Sequence, residues 1–183
     1  MSTAKATSVL MDGAAMAQAL ERLCRLITDQ HPNQDTLALV GIQRRGEFLA
    51  RRMQQILSSA SAGPIRFGTV DVTFHRDDFR TRLPAPKIGP TNISFAVDDL
   101  HIILVDDVLY TGRTARAAMN SVMDFGRPAS IQLAVLIDRG HRELPIQADY
   151  VGQFHQAEAN QQVHVHVEEV DGEDQVLLVD YGA

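Results

Sequence analysis

The sequence predicts an α/β fold in which a mostly parallel central sheet is flanked by helices. Short apolar runs alternate with segments of helical period along the first two thirds of the chain. Parallel strands need a long crossover between them, usually a helix, so this alternation is typical of a parallel sheet covered by helices. Since 45% of the 183 residues are hydrophobic, we expect one domain that spans residues 1–183.

The first part of the chain predicts helix, strand, helix and strand in turn. Apolar residues recur every three or four positions from about Asp12 to Asp29, which predicts an amphipathic helix. The continuous apolar run LALVGI at 37–42 predicts a buried strand, and GEFLARRMQQIL at 46–57 returns to helical spacing. The segment IRFGTVDVTF at 65–74 predicts the next strand.

The second part continues the alternation and adds two regions of another kind. The runs HIILV at 101–105 and SIQLAVLI at 130–137 predict buried strands, and ARAAMNSVMDFG at 115–126 predicts the helix between them. The stretch 75–100 has three prolines and no sustained period, which predicts a mobile flap. Beyond Gln147, short alternating runs predict strands that either finish the sheet or form a small hood.

Composition excludes several classes of protein. No apolar stretch approaches the roughly 20 residues needed to span a bilayer, and the single Cys24 cannot form an internal disulfide. Asp12 interrupts the apolar start before any signal-type core accumulates, so we expect a cytoplasmic protein. The net charge of −6, with much of the acid in EEVDGED at 168–174, argues against a protein that coats nucleic acid non-specifically.

Two histidines of the predicted tail strands have a spacing that metal ligands can use. His164 and His166 lie on one face of a predicted strand. A half-exposed strand with Val163, Val165 and Val167 facing the core explains the same pattern. With no third ligand in the pattern, no zinc site is assigned.

The stretch HIILVDDVLYTGRTARAAM at 101–119 predicts a phosphate site. In an open parallel sheet, ligands bind at the carboxyl ends of strands, where the next helix offers its free amides to an anion. Gly112 lets the backbone fold closely around a phosphate, and Thr111 and Thr114 add hydroxyl donors. The spacing fits neither a Walker loop nor a dinucleotide fingerprint.

The adjacent carboxylates Asp106 and Asp107 directly precede VLYTGRT at 108–114, which we call the phosphate loop. At that place they can accept hydrogen bonds from ribose hydroxyls and hold a hydrated magnesium ion. An Asp pair that only caps and solvates a turn is the alternative interpretation. The whole stretch VDDVLYTGRT favours the first.

This stretch resembles the phosphoribosyl-diphosphate signature of type I phosphoribosyltransferases, which is a strand, two acidic residues, then Thr-Gly and a hydroxyl residue. More narrowly, four segments resemble the PyrR family of bifunctional pyrimidine-operon attenuators and uracil phosphoribosyltransferases: the Leu109-Tyr110 insert, HRDDF at 75–79, GRPASIQLAVLIDRGHRELP at 126–145 and ADYVG at 148–152. The resemblance runs from about residue 37 to residue 181, which is nearly the whole chain.

The resemblance implies a type I phosphoribosyltransferase fold with a flexible flap and a small C-terminal hood. It implies that Asp106 and Asp107 take the ribose and magnesium, the metal being held through water and substrate. Contacts to the 5-phosphate are implied for Val108, Leu109, Tyr110, Thr111, Gly112, Arg113 and Thr114.

The resemblance also assigns the other end of the substrate. GIQRRG at 41–46 would be the diphosphate loop, with the amides of Arg44 and Arg45 and the side chain of Arg45 acting on the diphosphate; taken alone, Arg-Arg-Gly before a helix is typical of a solvated basic face. Arg44 departs from the family pattern, in which many members have a small hydroxyl residue. Arg139 is a candidate nucleotide contact or a surface ion-pair partner. The flap would begin at Arg76, Asp77 and Asp78.

The activity implied is formation of UMP and diphosphate from uracil and 5-phosphoribosyl 1-diphosphate, with Mg2+ as cofactor, in a homodimer or higher homo-oligomer. UMP-dependent binding to a pyr leader mRNA is implied beside it, with RNA-binding candidates Arg22, Arg25, His141 and Arg142. One alternative is a UMP-sensing RNA-binding attenuator with little or no catalysis. A purine phosphoribosyltransferase ranks last, because it shares the signature loop but not the DRGHRELP block.

Overall fold

The structure of the chain is a computed structural model that describes residues 6–60, 63–72 and 91–182. Its strands are β1 (Ala6–Asp12), β2 (Leu37–Ile42), β3 (Arg66–Val70), β4 (His101–Leu109), β5 (Ser130–Asp138), β6 (Tyr150–Phe154), β7 (Gln161–His166) and β8 (Gln175–Asp180). Its helices are α1 (Gly13–Gln30), α2 (Arg45–Ala60), α3 (Arg113–Met123) and the single turn α4 (Glu168–Asp171), with a 3-10 turn at Gln34–Thr36.

A five-stranded parallel sheet in the order β3-β2-β4-β5-β6 forms the centre of the molecule. Side chains alternate between its two faces, so that Leu39 and Ile103 pack under α1 and α2 while Val40 and Leu104 pack under α3. Helices therefore cover both faces, which confirms the predicted α/β fold with a parallel sheet. None of the helices in the described ranges combines the length and the hydropathy that a membrane span requires.

A second sheet of three antiparallel strands, β1-β8-β7, forms the hood. Val165 and Val167 are buried against the α1 and α2 side of the main core, as predicted for the inward face of this strand. Both predicted fates of the tail occur, since β6 finishes the main sheet while β7 and β8 build the hood. Strand β1 was not predicted, because its partner β8 lies more than 160 positions away in the sequence.

The bounds of three predicted elements need correction. Strand β4 does not end at Val105 but runs through both carboxylates to Leu109, because β5 pairs with it over that length. Strand β3 ends at Val70 rather than at residue 74. The end of the predicted flap, residues 91–100, packs into the core, where Val97 is fully buried. The flap residues Arg76, Asp77 and Asp78 lie outside the described residues.

Candidate active site

The carboxylate pair lies inside the carboxyl-terminal part of the central strand β4. Asp106 and Asp107 are only 5% and 7% exposed, and each is partly compensated by the backbone that follows it. One oxygen of Asp106 accepts the amide of Asp107 at 2.9 Å, and one oxygen of Asp107 accepts the amide of Val108 at 3.0 Å. Because neighbouring side chains of a strand point to opposite faces, the two carboxylates flank the end of β4 rather than face each other.

The loop that leaves β4 turns at Gly112 and starts α3 with an open amino terminus. Gly112 has a φ of +91°, in the left-handed region, and a Cβ atom there would lie 3.2 Å from the Cβ atom of Ile146. The buried Thr111 hydroxyl accepts the amide of Arg113 at 3.2 Å. The strand, the turn at Gly112 and the helix predicted from VDDVLYTGRT are therefore present.

A cleft opens beside this loop at the carboxyl end of β4. Its lining combines one carboxylate, the loop backbone and the first turn of α3, with an apolar floor from β5: Asp106, Val108, Leu109, Tyr110, Gly112, Thr114, Ala115, Leu133 and Val135. The positive end of α3 and the Asp106 carboxylate thus border one small cleft, and a helix amino terminus favours an anion there.

The loop from β2 to α2 lies directly against the end of β4. Gly46 packs so closely on the backbone of Val105 and Asp106 that a Cβ atom at Gly46 would overlap the Val105 carbonyl oxygen. The amide of Gln43 donates to the Val70 carbonyl at 2.9 Å, and the Gln43–Arg44 peptide is cis. The start of α2, which follows the β2–α2 loop directly, therefore packs against the strand that carries Asp106.

The two arginines of this second loop have different surroundings. Arg44 is exposed, whereas the Arg45 guanidinium is held by a carboxylate of the hood: its Nε donates to Oδ2 of Asp171 at 3.0 Å and its Nη2 donates to Oδ1 at 2.7 Å. These bonds lower the pKa of the Asp171 carboxyl below its ordinary value. The sequence analysis missed Asp171, because the acidic stretch EEVDGED does not indicate which basic residue each carboxylate will contact after folding.

The segment after β5 clamps the phosphate loop from the other side. Arg139 is buried, with its guanidinium carbon 4.0 Å from the centre of the Tyr110 ring. Its Nη2 donates to the Gln161 carbonyl at 3.0 Å. The Arg139 side chain is therefore an internal link between the phosphate loop and the hood, rather than a surface ion pair.

Arg142 is fully engaged in the same clamp. Its guanidinium donates to the carbonyls of Tyr110 at 2.9 Å, Gly140 at 3.1 Å and Ile146 at 2.9 Å, and forms an ion pair with Asp138 at 2.5 Å. The adjoining amides of residues 143 and 144 both donate to the carbonyl of residue 111 at 3.0 Å. The phosphate loop is thus held in place by the segment 138–146.

The other RNA-binding candidates lie at the surface. Arg22 and Arg25 are exposed on α1, and the Arg22 guanidinium donates to the Gly152 carbonyl. His141 is exposed, and its Nε2 donates to the Ala157 carbonyl at 2.6 Å. Of the four candidates, Arg142 is the one whose guanidinium is bound by the phosphate loop and the segment 138–146.

The tail histidines do not gather further ligands in the described part of the chain. His164 bonds to the amide oxygen of Gln162 at 3.2 Å, and His166 lies 3.3 Å from a carboxylate oxygen of Glu173. Across residues 6–60, 63–72 and 91–182, no group of three or more histidine, cysteine or acidic side chains is placed to hold a metal ion.

Comparison with known sequences gives a family for this arrangement. The model of the phosphoribosyl transferase domain matches residues 7–170. The chain is 46% identical over 179 residues to the bifunctional protein PyrR of Desulfosudis oleivorans, covering 97% of this chain and 98% of the relative. It is 43% identical over 171 residues to the bifunctional protein PyrR of Elusimicrobium minutum, covering 93% and 96%.

Comparison with solved structures supports the fold. The hypoxanthine phosphoribosyltransferase of Trypanosoma cruzi in complex with the product IMP superposes with a TM-score of 0.71, over 97% of this chain and 91% of that chain. A hypoxanthine phosphoribosyltransferase from Staphylococcus aureus superposes with a TM-score of 0.68, over 95% and 91%. Sequence identities to the two are 16% and 17%, so these likenesses show the shared fold and carry no information about the base.

Proposed function

Because this chain belongs to the PyrR family of phosphoribosyl transferase domains, we propose that it makes UMP and diphosphate from uracil and 5-phosphoribosyl 1-diphosphate. The observation that carries the proposal is the packing of Gly46, at the start of α2, against the backbone of Val105 and Asp106, which sets the β2–α2 loop beside the buried carboxylates of β4. Such an arrangement suits one substrate with a phosphate at one end, a diphosphate at the other and a ribose between them.

In this proposal each end of the substrate has its own loop. The amides and hydroxyls of residues 108–114 and the amino terminus of α3 bind the 5-phosphate. The amides of Arg44 and Arg45 and the Arg45 side chain bind the diphosphate, as Arg suits bidentate recognition of phosphate oxygens. Asp106 and Asp107 accept hydrogen bonds from the ribose hydroxyls, which fixes C1 of the sugar between the two loops.

The chemistry is a displacement at C1 of the ribose. As the bond to diphosphate breaks, positive charge develops on the sugar ring and negative charge grows on the leaving group. N1 of uracil then forms the new bond to C1, and its proton passes to water. The residues of the chain contribute positioning and electrostatic stabilisation: Arg45 balances the leaving group, and the Asp pair stabilises the cationic ring. No covalent intermediate with the protein is required.

The carboxylate pair also fits the proposed Mg2+. Carboxylate oxygens are the donors that Mg2+ prefers, and it is usually bound by one or two carboxylates together with waters and substrate phosphates. Asp106 and Asp107 each offer such oxygens, and the ion would be held through water and the substrate. When bound, the ion neutralises charge on the diphosphate as the bond to C1 breaks.

Magnesium-dependent turnover is the direct test of the reaction and of the base. Uracil, hypoxanthine and guanine are each incubated with the purified protein and 5-phosphoribosyl 1-diphosphate, with Mg2+ or with EDTA, and nucleotide products are separated by chromatography. We expect UMP in the uracil reaction with Mg2+ and a strong loss of product with EDTA. Turnover of a purine base with none of uracil would contradict the pyrimidine assignment.

A second function, UMP-dependent binding to a pyr leader mRNA, is proposed beside the enzyme activity because the relatives are named bifunctional. The exposed residues available for it are Arg22, Arg25 and His141. Filter binding of a labelled leader RNA at two salt concentrations tests it, since each neutralised phosphate contributes roughly −0.7 to the salt slope for single strands. We expect UMP to tighten the binding of the RNA. Absence of UMP-dependent binding at low salt would leave the enzyme activity as the function. In sedimentation we expect a homodimer or a larger homo-oligomer.

A further inference from the structure

The Arg45–Asp171 pair joins the proposed diphosphate loop to the hood. Arg45 lies in that loop as the first residue of α2, and Asp171 ends the single turn α4 between β7 and β8. The carboxylate binds the guanidinium through two bonds of 2.7 and 3.0 Å, with the two side chains 31% and 18% exposed. A bidentate pair of this kind fixes the plane of the guanidinium as well as its position.

Asp171 is itself held rigidly. Its Oδ2 accepts the amide of Val167 at 2.9 Å, and its own amide donates to the Val167 carbonyl at 2.7 Å. The carboxylate is therefore fixed to Val167, which directly follows β7 and is fully buried in the core. The same short turn makes a second, separate link to α2, in which Arg52 is held by Glu169 at 2.6 Å and by Asp174 at 2.7 Å.

We propose that Asp171 is a positioning residue for diphosphate binding, which acts by holding the Arg45 guanidinium and, with it, the loop 43–46. This inference rests on the proposed function, which assigns that loop to the diphosphate. The loop is fixed at its far end by the contact of Gly46 with the backbone of β4. Asp171 supplies the second fixed point, from an element that is distant in sequence.

The physical reason is preorganisation. An arginine side chain has many rotamers, and binding an anion with a freely moving one loses that freedom when the substrate arrives. In this structure the side chain of Arg45 is already ordered by Asp171, so the diphosphate meets a loop and a guanidinium of fixed geometry. Charge alone predicts the opposite effect, because removing a carboxylate beside a polyanion strengthens its attraction to the site. The sign of the measured change therefore distinguishes the two.

The test is calorimetric titration of magnesium diphosphate, 5-phosphoribosyl 1-diphosphate and UMP into the intact protein and into Asp171→Asn. The Asn side chain keeps an acceptor for the Val167 amide but loses the charge and the second bond to Arg45. We expect about tenfold weaker binding of both diphosphate-containing ligands, comparable with losses on removing groups that orient a ligand-binding side chain. UMP affinity should be unchanged, because UMP has the 5-phosphate but no diphosphate.

Glu169→Gln is the matched control. It changes one carboxylate of the same turn but weakens the link to Arg52 and leaves the link to Arg45 intact. We expect it to leave the affinity for diphosphate within about twofold of the unmodified protein, as surface substitutions away from a special contact usually do. A purely structural role of the turn would instead lower the melting temperature in both variants and weaken UMP and diphosphate together.

Arg45→Lys gives an independent variant, because it keeps the charge but cannot form the planar bidentate pair. It should weaken diphosphate binding by a similar factor, and the double variant Arg45→Lys with Asp171→Asn should be no worse than either single variant. Equal or tighter diphosphate binding by Asp171→Asn would overturn the proposal. Because these titrations need no turnover, a protein that binds diphosphate but makes no UMP would contradict the proposed function and leave this inference fully testable.

Discussion

At the scale of single residues, the fate of the four RNA-binding candidates shows what a sequence can and cannot give. The basic character of Arg142 is visible in the sequence, but its contacts to three carbonyls and Asp138 depend on loops that meet only after folding. The phosphate loop, by contrast, was predictable in detail, because the glycine, the hydroxyls and the helix start are neighbours along the chain. Features formed by residues adjacent in the sequence were therefore predicted, whereas contacts between residues distant in the sequence were not.

Arg142→Ala should damage the proposed enzyme activity as well as any RNA binding. The substitution leaves three carbonyls and the Asp138 carboxylate without their donor, which we expect to lower the free energy of unfolding by about 2–3 kcal/mol and to loosen the phosphate loop. The measurement is urea unfolding beside uracil turnover. Arg25→Ala, which removes an exposed arginine of α1, is the control and should leave both within error. Unchanged turnover in Arg142→Ala would show that the clamp is dispensable.

Replacing Asp106 and Asp107 together by Asn should remove most activity and keep the fold. Each Asn side chain retains an oxygen that can accept the amide of the next residue, as the carboxylates do at 2.9 and 3.0 Å. The charge that stabilises a cationic ribose is lost, for which we expect a rate loss of at least about a hundredfold. Turnover is compared with the circular dichroism melting curve. An undiminished rate would show that the two carboxylates have no role in catalysis and only stabilise the local backbone.

At the scale of elements, the parallel sheet was predictable because buried strands and amphipathic helices leave different periods in the sequence. The hood was predictable only in outline. Strand β1 was missed because it is stabilised by pairing with β8, which lies more than 160 positions away in the sequence. The extension of β4 through two carboxylates also went unforeseen, because the pairing with β5 outweighs the poor strand propensity of Asp.

Gly46→Ala tests the contact between the start of α2 and the backbone of β4. A Cβ atom at Gly46 would meet the backbone of β4, which cannot move aside as a flexible side chain would. We expect the free energy of unfolding to fall by roughly 2–3 kcal/mol and diphosphate affinity to fall with it. Gly63→Ala is the control, since nothing lies within 4 Å of a Cβ atom at that position. Equal stability of the two variants would contradict the close approach.

The acidic turn between β7 and β8 should make the fold sensitive to acid. Hydrogen bonds from Arg52 lower the pKa of the Glu169 and Asp174 carboxyls, and those from Arg45 lower the pKa of Asp171. Carboxyls with a lowered folded pKa contribute stability above their unfolded pKa of about 4, and that stability is lost as the pH falls through the folded pKa. Urea unfolding from pH 6 to pH 3 should therefore show a fall in stability that is shallower in Asp174→Asn. An identical slope would exclude the turn as its source.

At the scale of the whole molecule, the structure is a single binding apparatus assembled from distant parts of the chain. The central sheet sets two loops side by side, the segment 138–146 braces one of them, and the hood holds the other through Arg45. The contacts that hold the two loops are hydrogen bonds and ion pairs, whereas the central sheet under the loops is apolar. Several of the acidic residues behind the net charge of −6 lie between β7 and β8, where Arg45 and Arg52 of α2 form ion pairs with them.

The measurement that tests this account most directly is a crystal structure of the protein with UMP and magnesium diphosphate, the products of the proposed reaction. We expect the 5-phosphate within hydrogen-bond distance of the amides of residues 111–114, and the ribose hydroxyls on Asp106 and Asp107. The diphosphate should lie on the amides of Arg44 and Arg45. UMP bound with its phosphate away from the start of α3, or diphosphate bound away from the loop 43–46, would contradict these expectations.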